Sequence, residues 1–251
     1  MKSEDRESSL QQAATMIKDA DYLVAFTGAG ISAESGIPTY RGEDGLWDEY
    51  EPEKTASLSA FRENPRVFWK FIRETAVEKE ASANPAHKVL AGWEKDNRLK
   101  TVITQNIDLL HQEAGSSEVL PLHGSLAKAR CLDCGAEYSW TEIESMIESE
   151  GIPVCRSCGS EKVKPGVIFF GESLPRQVFR RAEKEIKRCD VLLVIGSSLS
   201  VYPAAELPAR AKRSGAELVY VNADRGQRPE IFDIIITGRA GSILPRLEEK
   251  I

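Results

Sequence analysis

Four short apolar runs break off abruptly at small or polar residues, and this rhythm constrains the fold more than any other feature of the chain. Tyr22 to Thr27 stops at Gly28-Ala29-Gly30, and Thr101 to Thr104 stops at Gln105-Asn106-Ile107-Asp108. Val191 to Ile195 gives way to Gly196-Ser197-Ser198, and Leu218 to Val221 to Asn222-Ala223-Asp224. Apolar runs this short, rich in β-branched residues and bounded by turn formers, read as buried strands. Helical stretches lie between them. Leu10 to Ala20 carries Leu10, Ala13, Ala14 and Ile17 on one face, and further helices are expected over about Pro175–Arg188 and Pro203–Ser214. Alternation of this kind predicts an α/β fold, a Rossmann-like parallel sheet with helices on both faces, whose polar strand ends share one carboxyl edge.

The first polar end fits the loose G-x-G-x-x-G/A pattern as Gly28-Ala29-Gly30-Ile31-Ser32-Ala33. Glycines here would let backbone N–H groups approach a phosphate with no Cβ in the way. A dinucleotide fold for hydride transfer also needs a long helix and then a second strand ending in an acid. Gly36 and Pro38 stop any helix after about one turn, and no strand pattern precedes the acids near residue 50. An ordinary hydride-transferring dehydrogenase is therefore disfavoured. A nucleotide site followed by the loop Pro38-Thr39-Tyr40-Arg41-Gly42 remains.

Two other regions break the rhythm. Residues 45–86 carry Phe61, Phe68, Trp69 and Phe71 on helix-like segments without a strand pattern, and read as a helical insertion whose aromatics belong to a core. Asn84-Pro85 reads as a capped helix start, which gives His87 a structural role. The second region, 127–164, holds Cys131-Leu132-Asp133-Cys134 and Cys155-Arg156-Ser157-Cys158, twenty residues apart, each pair followed by glycine. Four thiolates in two such knuckles supply a closed tetrahedral shell that suits one structural zinc ion and leaves no open position for chemistry. The expected division is therefore 1–44, 87–126 and 165–251 as the nucleotide-binding domain, with 45–86 and 127–164 forming a small zinc-ribbon/helical domain. Cys189, ahead of an apolar strand, has no partner and is expected to be a small core or near-surface residue.

Two further segments carry possible chemistry. Val119 to Leu122 leads into His123-Gly124, and Lys164 to Glu172 is an apolar run with glycines at Gly166 and Gly171. The latter reads either as a buried strand or as a strand edge that takes an extended peptide. With four of five cysteines paired in a way that suits metal, no apolar window long enough to span a bilayer and no apolar leader, the chain is expected to be cytoplasmic and to use no membrane. A net charge of −6 gives no bulk basic face for direct nucleic-acid binding and suits a lysine-containing partner. No oligomeric state is specified, and a monomer is compatible with the sequence.

Taken together, Gly28 to Pro38, Thr104 to Asp108, His123-Gly124, the four cysteines, Phe170-Gly171-Glu172, Gly196-Ser197-Ser198 and Asn222 resemble, in order and spacing, the sirtuin family of NAD-dependent protein-lysine deacylases. The resemblance covers almost the whole chain from about residue 20. It implies NAD as co-substrate, with Gly28, Ala29, Gly30 and Glu34 near the pyrophosphate and Arg41 pairing with a phosphate or holding the loop. Tyr40 would screen the nicotinamide ribose, Gln105, Asn106 and Ile107 would line it, and Asp108 would hold the carboxamide. Gly196, Ser197, Ser198, Asn222 and Ala240 would hold the adenosine half. His123 would be the general base, with Asn106 the second catalytic residue. Val167, Phe170, Gly171 and Glu172 would receive the acyl-lysine peptide, while zinc on Cys131, Cys134, Cys155 and Cys158 stays structural.

The implied reaction displaces nicotinamide by the acyl oxygen of the modified lysine, giving an alkylamidate at the ribose. His123 then activates the ribose hydroxyls, and the products are lysine, nicotinamide and O-acetyl-ADP-ribose. Thr39-Tyr40 departs from the family's commoner Asp-Phe. Ile72 and Thr75 occupy the positions where members that remove acidic acyl groups carry a Tyr-x-x-Arg pair, and Arg73 is one residue out of register. Succinyl or malonyl removal is thus not expected, and deacetylation leads. Mono-ADP-ribosyl transfer to protein and a non-catalytic NAD or ADP-ribose sensor are the alternatives.

Overall fold

The computed structural model describes residues 3–40, 45–77, 81–226 and 228–251, without the side chains of 3–5, 47, 48, 76 and 77. In chain order, α1 (Ser3–Asp19) leads into β1 (Leu23–Thr27), and four short helices follow: α2 (Leu46–Glu49), α3 (Pro52–Thr55), α4 (Leu58–Glu63) and α5 (Pro65–Ile72). Next come α6 (Pro85–Lys95), β2 (Leu99–Thr104), α7 (Leu110–Glu113) and β3 (Val119–Pro121). A second group comprises β4 (Gly124–Cys131), β5 (Glu137–Ser139), α8 (Trp140–Glu150) and β6 (Val163–Val167). The chain closes with α9 (Arg176–Arg188), β7 (Val191–Ile195), α10 (Leu207–Arg213), β8 (Glu217–Asn222), β9 (Ile234–Thr237) and α11 (Ala240–Glu248).

Six strands form one parallel sheet in the order β3-β2-β1-β7-β8-β9. Successive strands step outward on one side of β1 and then outward on the other, so the order reverses between β1 and β7. Such a reversal opens a crevice at the carboxyl ends of the two strands, where open α/β sheets bind ligands. Alternation along each strand splits its side chains between the two faces. Leu23, Ala25, Leu193, Ile195, Val219 and Val221 pack with α1, α6 and α11 residues, while Val24, Phe26, Leu192, Val194, Leu218 and Tyr220 pack with α9 and α10 residues. Both layers are fully apolar and buried, as a doubly covered parallel sheet requires. Cys189 lies in the second of these cores, its thiol donating to Ile186 O at 3.2 Å.

Asn84 caps α6 as its sequence implies: its side chain accepts from Ala86 N at 2.9 Å, and His87 Nδ1 accepts from Asn84 N at 3.3 Å. The helical insertion and the cysteine-bearing region share a third core. Phe61, Phe68, Trp69, Phe71 and Ile72 pack with Ile143, Met146 and Ile147 of α8 and with Val163, Val167 and Phe169. Phe61, Phe68, Trp69 and Phe71 are therefore core residues.

The run from Lys164 does not extend the parallel sheet. β6 pairs antiparallel with β4 as one edge of a separate three-stranded sheet, β5-β4-β6. That strand spans residues 163–167, so the division expected between 164 and 165 falls within it. Among the described residues, no helix is long and apolar enough to cross a membrane.

Candidate active site

Two loops meet at the reversal point between β1 and β7. Gly28 N donates to Ile195 O at 3.0 Å and Gly30 N to Gly196 O at 2.8 Å. A Cβ on Gly30 would lie 2.7 Å from Gly196 Cα, and one on Gly28 would lie 2.8 Å from Gly196 O. The glycines thus answer first to backbone packed on backbone. Their own N–H groups are spent in that packing. Ala29 N–H, at the first position of the turn Ala29–Ile31, has no intrahelical acceptor.

The polar end of β2 ties these loops together. Gln105 Nε2 donates to Ser197 Oγ at 2.7 Å. Asn106 Nδ2 donates to Gly28 O at 3.2 Å and Ser32 Oγ at 3.1 Å, and Ser32 Oγ donates to Asp108 Oδ2 at 2.6 Å. Asp108 Oδ1 also accepts from Leu110 N at 3.1 Å. Burial nonetheless raises the Asp108 carboxyl above its usual range, with the Ser32 and Leu110 hydrogen bonds opposing that shift. Behind the loop, Thr104 Oγ1 accepts from Asn106 N at 3.0 Å and from Thr27 Oγ1 at 2.8 Å, and Thr27 Oγ1 meets His111 Nε2 at 2.9 Å. Ser32, Thr27 and His111 were not singled out by the sequence pattern. Only Ser32 left a signal, two residues beyond Gly30 in the glycine turn.

His123 enters from the end of β3. Its Nδ1 lies 2.9 Å from Gln105 O. A carbonyl oxygen only accepts, so Nδ1 carries the proton and Nε2 keeps its lone pair. Burial lowers the imidazole pKa, partly offset by the Gln105 carbonyl. A neutral ring with a free Nε2 is the form a general base needs.

Gly124 begins β4 with φ +69, and a Cβ there would sit 2.0 Å from Gly166 O. The two chains cross here as closely as glycines allow. His123 O then accepts from Ile168 N at 2.8 Å, which joins the histidine directly to the segment carrying Val167, Phe170, Gly171 and Glu172. Phe170 N continues that link to Ala56 O at 2.9 Å. Ile107 O accepts from Leu126 N at 3.1 Å, and Ile107 packs with Tyr40 against the third core. Burial, with the Asp108 carboxylate nearby, pushes the Tyr40 phenol above its ordinary value. Arg41 lies outside the described residues.

The residues implied for adenosine are spread further along the sheet edge. Ser198 Oγ pairs with Ser200 Oγ at 2.8 Å, and Asn222 Nδ2 donates to Asp224 Oδ1 at 2.9 Å. Ala240 opens α11, and Glu34 Oε2 accepts from Gly241 N at 2.6 Å. Glu34 therefore caps α11 and fastens the glycine turn to it.

The four cysteines converge. Their sulfurs lie within 4.8 Å of one another, with Cys131–Cys158 at 3.6 Å and Cys134–Cys155 at 3.5 Å. Tetrahedral zinc–sulfur bonds of about 2.3 Å put sulfurs about 3.8 Å apart, so this donor set fits zinc with small adjustment. Gly135 and Gly159, both at positive φ, return their N–H groups to Cys131 O and Cys155 O at 3.0 and 2.8 Å. The glycine after each pair is what lets each knuckle turn.

The model of the Sir2 family matches residues 28–203. NAD-dependent protein deacylase 2 of Archaeoglobus fulgidus is 51% identical over 98% of this chain and 97% of its own length. A solved structure on the mechanism and regulation of Sir2 enzymes superposes with a TM-score of 0.93 at 51% identity, covering 97% of this chain and 98% of that one. Another, of Sir2Af2 bound to a myristoylated histone peptide, gives a TM-score of 0.86 at 45% identity over 97% and 96% of the two chains.

Proposed function

The chain belongs to the Sir2 family, and from that premise we propose the roles of its residues in NAD-dependent deacylation of protein lysines. The observation that carries the assignment is the 2.9 Å contact of His123 Nδ1 with Gln105 O, from which the tautomer follows. Nε2 is the base that takes a proton from a ribose hydroxyl of the co-substrate, and the hydroxyl oxygen then attacks the acyl carbon. Gln105, Asn106 and Asp108, braced by Ser197, Gly28 and Ser32, orient the nicotinamide ribose and carboxamide. Ala29 and Gly30 lie against the pyrophosphate, with Glu34 holding the turn to α11. Gly196, Ser197, Ser198, Asn222 and Ala240 take the adenosine half, and Tyr40 excludes water from the ribose. Arg41 is assigned to the phosphate side.

Val167, at the end of β6, and Phe170 and Gly171 beyond it receive the acyl-lysine peptide by strand addition. Glu172 belongs to the same segment. Zinc is structural, holding the small domain, which we divide from the nucleotide-binding domain as 45–86 with 127–164 against 1–44, 87–126 and 165–251. A set of four reduced thiolates suits the cytoplasm.

Acetyl-lysine is the proposed principal substrate. Ile72 and Thr75 are buried, Thr75 Oγ1 donates to Phe71 O at 2.7 Å, and neither offers a charge to an acyl carboxylate. Arg73 Nη1 lies only 3.8 Å from where a Gly151 Cβ would stand, at the end of α8. Incubation with NAD and peptides bearing acetyl, propionyl, succinyl or myristoyl lysine tests the reading. O-acetyl-ADP-ribose should form fastest and the succinyl peptide should remain intact. Preferred succinyl removal, or ADP-ribosylated protein without O-acyl-ADP-ribose, would overturn it.

A further inference from the structure

We infer that Lys164 and Glu172 form an internal clamp that sets the shape of the peptide-receiving segment and thereby the affinity for acyl-lysine peptide. The inference rests on the proposed role of Val167 to Gly171 as the peptide seat.

Lys164 is a lysine in an unusual place, its side chain only 12% exposed. Its ammonium has three donors, and all three have acceptors: Glu172 Oε2 at 3.0 Å, Val167 O at 2.7 Å and Pro165 O at 3.3 Å. The same nitrogen sits 4.2 Å from the centre of the Phe169 ring. A desolvated ammonium is tolerated when its donors are filled and a ring face lies beneath it. Glu172, 23% exposed, is held through one carboxylate oxygen. Its Oε2 also accepts from Phe169 N at 2.8 Å, while Glu172 N returns to Phe169 O at 3.0 Å. Gly171, at φ +85, supplies the positive φ that this four-residue turn needs at its third position.

One ion pair thus ties the start, middle and end of the segment together. It consumes Val167 O and Phe169 N, two backbone groups that an added peptide strand would otherwise find open. The remaining backbone groups are thereby selected, and with them the register of the peptide. Neighbouring bonds carry the shape outward, through Ile168 N to His123 O and through Phe170 N to Ala56 O. Phe169, gripped from above by the ammonium, packs against Phe61 and Phe68 with ring centres 5.3 and 4.7 Å away. Neither charged group needs to touch substrate, so both are positioning residues.

A double-mutant cycle tests the clamp: Lys164→Met, Glu172→Gln and the pair together, with Lys164→Arg as the conservative variant and Phe170→Ala as a control on the seat. Each single change should raise KM for acetyl-lysine peptide about tenfold, with KM for NAD unchanged, because loss of preorganisation is loss of uniform binding. The double variant should be no worse than either single one, since both remove the same clamp. Lys164→Arg keeps the charge but cannot set three donors on the same acceptors from a planar guanidinium, so it should recover only part of the KM lost in Lys164→Met. Zinc content and the melting profile of Glu172→Gln, which keeps the shape of the side chain, guard against misfolding. Unchanged peptide KM in both single variants overturns the clamp. If Phe170→Ala raises KM in that case, the clamp alone falls, and if it does not, the peptide seat falls with it.

Discussion

The Gln105 carbonyl fixes His123 as the Nδ1–H tautomer, leaving the lone pair on Nε2. Burial then lowers the ring's pKa below that of an ordinary imidazole. A lowered pKa means that the neutral base persists to more acid solution. The acid limb of kcat/KM for acetyl-lysine peptide should therefore lie below pH of about 6.5, the reference value for the side chain. A pH–rate profile whose acid limb lies above that value would assign the limb to another group. His123→Ala should reduce deacylation by about 100-fold or more while zinc content and melting temperature stay near wild type. At this scale the base was legible as a lone histidine after an apolar run, and its standing as a base came from the family resemblance. The tautomer was not legible, because Gln105 is eighteen residues away and only the fold brings its carbonyl to the ring. His111 was equally hidden: nothing in the local pattern of α7 tells that Thr27, at the end of β1, is its partner.

Elements register what short sequence patterns leave open. Period and turn chemistry located β1, β2, β7 and β8, since each is an apolar run ended by small or polar residues. The same patterns could not assign β6 to a sheet, because pairing partners lie far away in sequence and an edge strand with one glycine fits either sheet. β9, the run Ile234–Thr237, escaped notice although its residues are β-formers, because no distinctive polar end marks it. The glycine loops illustrate the limit best. Their spacing points to a phosphate turn but does not tell that Gly196, at φ +60, has no room for a side chain because a Cβ would lie 2.3 Å from Ile31 N. Gly196→Ala should therefore both strain the backbone and push the two loops apart. A loss of about 2 kcal/mol or more in denaturant stability is expected, with a raised KM for NAD. Wild-type stability together with wild-type KM would show that the loops yield freely. In the cysteine module, removal of zinc by a strong chelator should expose the two knuckles, 131–135 and 155–159, to proteolysis, since the ligands close both turns. Resistance after verified metal loss would contradict that dependence.

For the whole molecule, two further histidines couple stability to pH. His87 and His111 are buried with ring centres 4.9 Å apart, and burial lowers their pKa values to about 4 and about 3, His87 adding repulsion at His111. His87 Nδ1 accepts the Asn84 N–H and so must be unprotonated, which also holds the start of α6. In the unfolded chain each ring takes up its proton near pH 6.5. Between that value and the folded pKa the unfolded state binds more protons, so stability rises with pH and is lost as pH falls. Above about pH 6.5 the two rings contribute no slope. One and a half units below it, at pH 5, the two together cost about 4 kcal/mol, at 1.36 kcal/mol per unit for each ring. Asp108 works in the opposite sense, because its raised carboxyl pKa makes the folded state the better proton binder in acid. Urea unfolding at pH 7 and pH 5 measures the difference. The double variant His87→Gln with His111→Gln should flatten the slope, since glutamine's side-chain oxygen can still accept the Asn84 N–H and neither amide titrates. An equal loss of stability on acidification in wild type and variant would place the acid sensitivity elsewhere in the fold.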